Sequence, residues 1–517
     1  MSLYYARREG KGSREAAVSV GKLGRRVDLG APGEPLPHEL VSLLPAAGAR
    51  LALVPPGADA AAELLVARGF TTAPLAAQPA TPGAPAAPTE AGWDAVVVLA
   101  GPAGAPPDFP PLLASLHAVL AERGQLLVAG TFAATVADGV IDSRALVVAL
   151  SEAGFVVLRQ QPLETESVPP RRELLTARRD AFRVREYRPG DEVQILPIFQ
   201  GSFFVERSFE RWSWEYRENP YDNLNVSEAF AEDGQLVAHY AGFPVRFRLA
   251  GRDEPVTALH IGDTMTLPGV RHVGRGATSL LGRTVRHFYA CFCEGRVAFN
   301  YGFNTGNIQR FSMAFVGARR LEDVPFHLLP STALRPLAGA AGSWRRRISD
   351  RLAGWRCTTI DRFDASFDEL LARAGADYGM LVERDARYLD WRYRRQPGNA
   401  YRVYACHYRR RLVGWGVFRR RQDSLVWGDA LFDRRFPGAV SRVLRYALDQ
   451  PEHAGIAAVE TWASARPAWW QPLLRSIGFA ERRDPDGLGL VFVPFTMDPA
   501  PDMQAGLYYT MGDSDLF

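Results

Sequence analysis

Between Arg271 and Ala277 the sequence reads Arg-His-Val-Gly-Arg-Gly-Ala, a pattern suited to holding an anion. Gly274 and Gly276 carry no side chain, so a ligand can come against the backbone there. An apolar strand pattern ends near Leu267. The spacing of Leu280, Leu281, Val285 and Phe288 then predicts a helix that opens near Gly274 and runs to about His287. The first amides of a helix have no intrahelical partner and carry partial positive charge. Arg271 and Arg275 add full charge. Arg271, His272, Val273, Gly274, Arg275, Gly276 and Ala277 therefore form a candidate cradle for a diphosphate.

The elements that must position this loop sit in a chain of 517 residues, enough for two to four domains. A hydrophobic fraction of 47% and a charged fraction of 23% are ordinary for a soluble globular protein. A net charge of +4 is too mild to argue for nucleic acid. Four cysteines cannot form a disulfide scaffold, and Cys291 and Cys293 read as core residues or free thiols, which fits a reducing cytoplasm. No His/Cys pair stands at ligand spacing nearby, so no metal is expected. No 18-residue apolar run is present, so no membrane span is expected, and Met1 to Arg26 lacks the apolar segment of a secretory signal.

Residues 1–165 alternate short apolar strands (Arg50 to Val54, Asp94 to Ala100, Gln125 to Ala129, Phe155 to Arg159) with helical patterns (Leu112 to Arg123, Ser143 to Ala153). That order predicts a parallel α/β sheet. Pro74 to Glu90, almost wholly Ala, Pro, Thr and Gly, reads as a surface insertion. The run from Trp93-Asp94-Ala95-Val96-Val97-Val98 through Gly124-Gln125-Leu126-Leu127-Val128 to Ala153-Gly154-Phe155 resembles the later half of a class I methyltransferase. The nucleotide-binding part departs from that family. Val54-Pro55-Pro56-Gly57-Ala58 has two prolines without amide donors where glycines are wanted. A degenerate Rossmann-like domain, with S-adenosylmethionine an unlikely ligand, is the expectation. A polar linker, Glu164 to Arg179, is expected to follow.

The rest of the chain holds an internal repeat. Val205-Glu206-Arg207, Trp214, Tyr216, Arg217 and Pro220 recur as Val382-Glu383-Arg384, Trp391, Tyr393, Arg394 and Pro397, every pair offset by 177 residues. A duplication is the simplest reading. Trp214 and Tyr216 fit core packing, with substrate contact the alternative.

The Arg271-x-x-Gly274-x-Gly276 pattern is similar to the signature of the GNAT acetyltransferases. The flanks fit as well. Phe182 to Asp191 looks like that family's first strand and turn, Val297 to Asn304 like its fifth strand, and Asn307 to Phe315 with Gly317 like its fourth helix and closing turn. The resemblance covers residues 180–330. It implies acetyl-CoA, or another acyl-CoA, with its pyrophosphate on the loop and Asn304 and Asn307 beside the cofactor. It also implies direct attack of an amine on the thioester. The donor to the acyl carbonyl would be a backbone amide of the fourth strand, Met265 or Leu267. Asp263 is the first choice to take the amine proton and His260 the second; Asp263 reads equally as a buried hydrogen-bond anchor. The family's proton-donating Tyr is replaced by Met313, so Tyr301, Ser312 or water would protonate the leaving thiolate.

The second copy, residues 331–517, lacks the Gly-x-Gly pair and reads Asp433-Arg434-Arg435-Phe436-Pro437-Gly438-Ala439 at that place. It is expected to be GNAT-like without binding CoA. The expected fold is thus α/β, a Rossmann-like domain followed by two GNAT-like mixed-sheet domains. The final stretch, Tyr508 to Phe517, could frame a cleft between the copies. The acceptor, a small-molecule or sugar amine, is not legible. The Arg clusters at 345–347, 409–411 and 419–421 leave a tRNA-borne donor as an alternative.

Overall fold

The computed structural model describes residues 50–54, 71–74, 93–99, 109–133, 141–162, 171–221, 224–333, 343–398 and 400–517. The expected insertion after Pro74, the proline-rich turn after Val54 and the first 49 residues lie outside them.

The first part of the chain supplies β1 (Arg50–Val54), β2 (Thr71–Pro74), β3 (Trp93–Leu99), α1 (Phe109–Val119), β4 (Leu120–Ala133), β5 (Ile141–Asp142), α2 (Ser143–Glu152), β6 (Phe155–Pro162) and β7 (Arg171–Arg179). They form one sheet in the order β2-β1-β3-β4-β7-β6, with β5 beside β4. β1 to β4 pair in parallel, and β7 runs antiparallel to both neighbours. Val96, Leu126 and Val128 of the sheet pack on Leu113 and Leu116 of α1 and Leu146 and Leu150 of α2. The expected linker from Glu164 to Arg179 is corrected from Arg171 onward. That stretch is a strand inside the sheet, where Leu174, Leu175 and Ala177 bury. Arg-rich composition masked three core positions.

The chain continues through β8 (Phe182–Glu186), α3 (Glu192–Phe203), α4 (Phe209–Tyr216), β9 (Asn225–Ala231), β10 (Leu236–Leu249), β11 (Val256–Thr266), α5 (Leu280–Phe288), β12 (Phe299–Asn304), α6 (Gly306–Phe315), β13 (Arg319–Asp323) and β14 (Phe326–Pro330). The second copy follows with α7 (Ser343–Leu352), β15 (Trp355–Ile360), α8 (Ala365–Ala374), β16 (Met380–Val382), α9 (Ala386–Tyr393), β17 (Arg402–Tyr408), β18 (Arg411–Arg421), β19 (Ser424–Phe432), α10 (Gly438–Leu448), β20 (Ala458–Trp462), α11 (Trp470–Ile477), β21 (Ala480–Arg482), β22 (Gly489–Pro494), α12 (Ala500–Gly506) and β23 (Leu507–Tyr508).

Two mixed sheets result: the first takes β22, β16 and β23 from the second copy, and the second takes β14 from the first. β22 lies between β12 and β13, antiparallel to both. β14 lies between β20 and β21, again antiparallel to both. The exchange fuses the two lobes through main-chain ladders and one large continuous core.

The repeated tryptophans mark the axis of this arrangement. Trp214 Nε1 donates to the Trp391 carbonyl at 2.8 Å, and Trp391 Nε1 donates to the Trp214 carbonyl at 2.9 Å. Their rings stack at 4.9 Å. Such reciprocity, i to j and j to i, is what a two-fold relation between copies demands. Core packing, with the indole N–H satisfied, is therefore their role.

Among the described residues no helix is long and apolar enough to cross a membrane. No group of three metal-ligating side chains is found among them either. Cys291 and Cys293 are buried free thiols in the turn after α5.

Candidate active site

Strand β11 is distorted where the site is built. Its ladder with β10 slips between the pairs Ala241–Gly262 and His239–Met265, a β-bulge, and Asp263 takes a left-handed backbone with φ of +47°. On the other side β11 pairs with β12 in parallel only from Ala258–Phe299 to His260–Tyr301. Beyond that point Ile261–Thr266 pair only with β10, and Gly302–Asn304 pair only with β22. Two strand edges thus part and face each other with unpaired backbone groups. A slender ligand bearing its own amides can pair with both.

The loop that follows β11 stands at the mouth of this gap. Pro268–Val270 and Gly276–Thr278 form single tight turns, and α5 begins only at Leu280, capped by the Ser279 hydroxyl. The helix expected from Gly274 starts six residues later because both glycines sit at positive φ, +71° and +54°. The anion cradle is therefore a pair of turns rather than a first helical turn. Val273 N–H is taken by the Val270 carbonyl. Those of His272, Gly274, Arg275, Gly276 and Ala277 have no protein acceptor among the described residues. Gly274 and Arg275 are exposed, Gly276 and Ala277 half-buried. A Cβ at Gly276 would stand 2.7 Å from Phe315 of α6, so the turn leans on that ring. Arg271 Nε donates to the Thr266 carbonyl at 3.1 Å, which ties the loop to the strand end. Asn304 stands at the end of β12 with its Oδ1 toward Gly302, and Asn307 is exposed on the first turn of α6 beside Arg310.

The expected carbonyl donors need correction. Leu267 N–H donates to the Val237 carbonyl at 2.9 Å and is not available to a ligand. Antiparallel alternation then turns Met265 N–H toward His239, its partner in the register, and turns the N–H groups of Thr264 and Thr266 toward the open edge. Thr266 Oγ1 is buried without a partner on the same edge.

The side chains proposed for proton transfer are placed as follows. His260 is fully buried, stacked on Phe243 at 4.8 Å and met edge-on by Tyr301 at 5.0 Å, with neither ring nitrogen hydrogen-bonded. Burial, reinforced by the nearby Arg392 cation, pushes its pKa down to about 3. It is an aromatic core residue and no base. Tyr301 is buried, and its hydroxyl donates to the Asp513 carbonyl at 3.3 Å. Asp263 accepts from the Tyr216 hydroxyl at 2.9 Å and from the Arg207 guanidinium, which also grips Glu215. Arg207, Glu215 and Tyr216 thus surround Asp263. The place of Arg207 and Tyr216 in the repeated motif was the signal available.

The second lobe repeats this constellation and closes it. Arg384 Nε donates to Asp429 Oδ1 at 2.9 Å and Tyr393 Oη to Asp429 Oδ2 at 2.7 Å, matching Arg207, Tyr216 and Asp263. A carboxylate anchored by Arg and Tyr in both lobes is a shared structural device, which favours the anchor reading of Asp263. β19 also leaves β20 after the pair Val426–Glu460. Yet Gly428, which corresponds to Gly262, is covered by the Phe517 ring, whose Cζ would lie 2.0 Å from a Cβ there. The Ala430 carbonyl accepts from the Tyr508 hydroxyl at 2.8 Å. The loop before α10 satisfies itself, with Asp433 accepting from Arg435 N at 3.1 Å and Ala439 N–H donating to the Phe436 carbonyl at 2.9 Å. The Arg435, Phe436, Ala439 and Val440 amides of this loop are thus taken within the protein, and Pro437 has none to offer.

The model of the acetyltransferase (GNAT) domain family matches residues 183–312, the segment that builds the open site. By that match the chain carries an acetyltransferase domain and is an enzyme. No curated protein matches the chain. Among solved structures, a conserved protein of unknown function from Enterococcus faecalis, described as a probable N-acyltransferase, is 11% identical over 62% of this chain and 74% of its own, with a TM-score of 0.46. A GCN5-related N-acetyltransferase from Anabaena variabilis is 13% identical over 60% of this chain and 72% of its own, with a TM-score of 0.44. N-myristoyltransferase of Saccharomyces cerevisiae is 10% identical over 65% of this chain and 86% of its own, with a TM-score of 0.40. Likenesses this distant say nothing of substrate or mechanism.

Proposed function

We propose that the first lobe transfers an acyl group, acetyl first among the candidates, from acyl-CoA to an amine of a small molecule or sugar precursor. The observation that carries this reading is the set of amides from His272 to Ala277 without protein acceptors, set beside the parted edges of β11 and β12. His272, Gly274, Arg275, Gly276 and Ala277 would hold the diphosphate, with Arg271 and Arg275 adding charge. Ile261 to Thr266 and Gly302 to Asn304 would line the pantetheine arm. When bound, the thioester supplies an acyl carbon open to attack by an amine.

This chain's residues supply the rest. The open-edge amides of Thr264 and Thr266 face the gap where negative charge develops on the acyl oxygen, and donors fixed there before reaction stabilise it most. Arg207, Tyr216 and Asp263 hold the bulge that aims those amides. We read residues 1–165 as a Rossmann-like domain, 180–330 as the acyltransferase lobe and 331–517 as its silent copy. The four parallel strands β2-β1-β3-β4 support the first of these assignments.

Calorimetric titration with acetyl-CoA tests the reading. One molecule should bind per chain, and Gly276→Glu, which puts bulk and negative charge against Phe315 and the cradle, should abolish it. Equal affinity of the two proteins would remove the loop from the site.

A further inference from the structure

The second lobe's contribution lies in the segment after β23. Arg392 of α9 is buried, and its guanidinium holds three carbonyls of that segment. It donates to Gly512 at 3.2 Å, Ser514 at 2.5 Å and Phe517 at 3.3 Å. Arg384 binds the Asp513 carboxylate at 2.6 Å, and Thr510 with Asp513 forms a closed cap around the turn. The Phe517 ring packs at a tilt against Tyr401, 4.9 Å between centroids. Residues 510–514 and Phe517 are buried, but Asp515 between them is exposed. Asp515 is thus an exposed side chain framed by buried neighbours on a clamped backbone.

Its carboxylate stands against the first lobe. Asp515 Oδ2 lies 3.6 Å from where a Cβ would stand on Gly262, the residue at which β11 has just left β12. The Tyr216 hydroxyl is 3.4 Å from the same point. Gly262 therefore leaves room for one more group between the strand, Tyr216 and Asp515. In the second lobe the corresponding room at Gly428 is filled by Phe517. The groups facing Asp515 are Glu215 and Tyr216 of α4, Asp263 of β11, Arg207 beside them and Arg392 of α9. Arg207 is committed to Asp263 and Glu215, and Arg392 to the backbone carbonyls. Asp515 is the carboxylate of this group that no cation pairs among the described residues.

We infer that Asp515, delivered by the second lobe, is the residue that takes the proton from the acceptor amine. The inference rests on the acyltransferase reading. An amine arrives as an ammonium. The Asp515 carboxylate removes one proton and becomes a carboxylic acid, which frees the nitrogen lone pair. As the C–N bond forms and the C–S bond breaks, the second proton leaves the nitrogen and ends on the released thiol. Ammonium and thioester thus become amide, thiol and one proton held on Asp515, later lost to water. Although its side chain reaches solvent, the protein packed around it and the neighbouring Glu215 and Asp263 carboxylates push the Asp515 pKa up to about 7, where a base exchanges protons readily with water.

The test compares the whole wild-type chain with Asp515→Asn, using acetyl-CoA with benzylamine, cationic at neutral pH, and with hydroxylamine, largely neutral there. Asp515→Asn should lower kcat/KM for benzylamine by about 10²- to 10⁴-fold at neutral pH. It should lose the acidic limb of the pH profile, and it should leave hydroxylamine turnover and acetyl-CoA affinity near wild type. Equal losses with both amines, or loss of acetyl-CoA affinity, would make Asp515 structural and overturn the inference. If the wild-type chain acylates neither amine, the functional reading fails and the inference, which rests on it, falls with it.

Discussion

Gly274→Ala is the sharpest probe of the loop, because its effect can be worked from the backbone alone. A methyl at Gly274 would stand 2.2 Å from the Thr278 carbonyl oxygen and 2.9 Å from Ser279 Cα. Both are main-chain atoms and neither can swing aside. The φ of +71° adds about 1–2 kcal/mol for a residue with a Cβ. The turn must therefore leave its conformation, and the amides from Gly274 to Ala277 lose their common aim. Loss of only two charge-assisted hydrogen bonds, about 1.5–3 kcal/mol each, removes about 3–6 kcal/mol of binding. At about 1.4 kcal/mol per tenfold, the acetyl-CoA dissociation constant should rise at least about 100-fold. Gly251→Ala is the control. Gly251 has φ of +79° but nothing within 4 Å of where a methyl would stand, so it carries the backbone penalty without the clash. Calorimetry should show its affinity unchanged while its thermal midpoint falls. If Gly274→Ala binds acetyl-CoA as the wild type does, the cradle is not where the diphosphate sits.

His260→Phe should flatten the acid limb of stability. The folded-state pKa of about 3 lies below the ordinary 6.5, so the contribution of neutral His260 is full above pH 6.5 and is lost as pH falls toward 3. The unfolding free energy of wild type in urea should drop relative to His260→Phe by about 1.4 kcal/mol per pH unit in that window, and parallel curves would contradict the burial. Phe517→Ala should cost about 3–5 kcal/mol in denaturant unfolding, as an emptied core site does. It should still bind one acetyl-CoA per chain, because the loop at Asp433 remains self-satisfied; a second site appearing would show that the ring alone silences that lobe.

What the sequence disclosed depended on how local each signal is. The loop could be read because glycine spacing and flanking charge are properties of seven consecutive residues. The repeat could be read because the lobes kept Trp214 and Trp391 in register, and the reciprocal indole bonds explain why neither moved. The exchange of β14 and β22 left no local trace, since a strand pattern does not name its sheet. The parity of the β11 amides was hidden for the same reason, because a bulge is specified by the strand opposite. Leu174 and Leu175 were lost among arginines, because composition counts charge and does not say which positions face the core. The Asp515 site combines two remote stretches of chain, and no spacing rule reaches from residue 262 to 515.

The two lobes share a scaffold and divide the labour. Each has a parted strand pair, a bulged Gly-Asp and an Arg-Tyr clamp on its carboxylate. They differ at the motif position between Trp and Tyr, which is Glu215 in the first lobe and Arg392 in the second. A glutamate there leaves the first lobe's centre acidic and open. An arginine there gathers the backbone carbonyls of Gly512, Ser514 and Phe517 and packs the segment into the second lobe. That act fills the second site with Phe517 and presents Asp515 to the first. On the readings proposed above, the filling of one copy's site and the completion of the other's are then a single structural event. It requires that both copies stay on one chain, held in register by the exchanged strands.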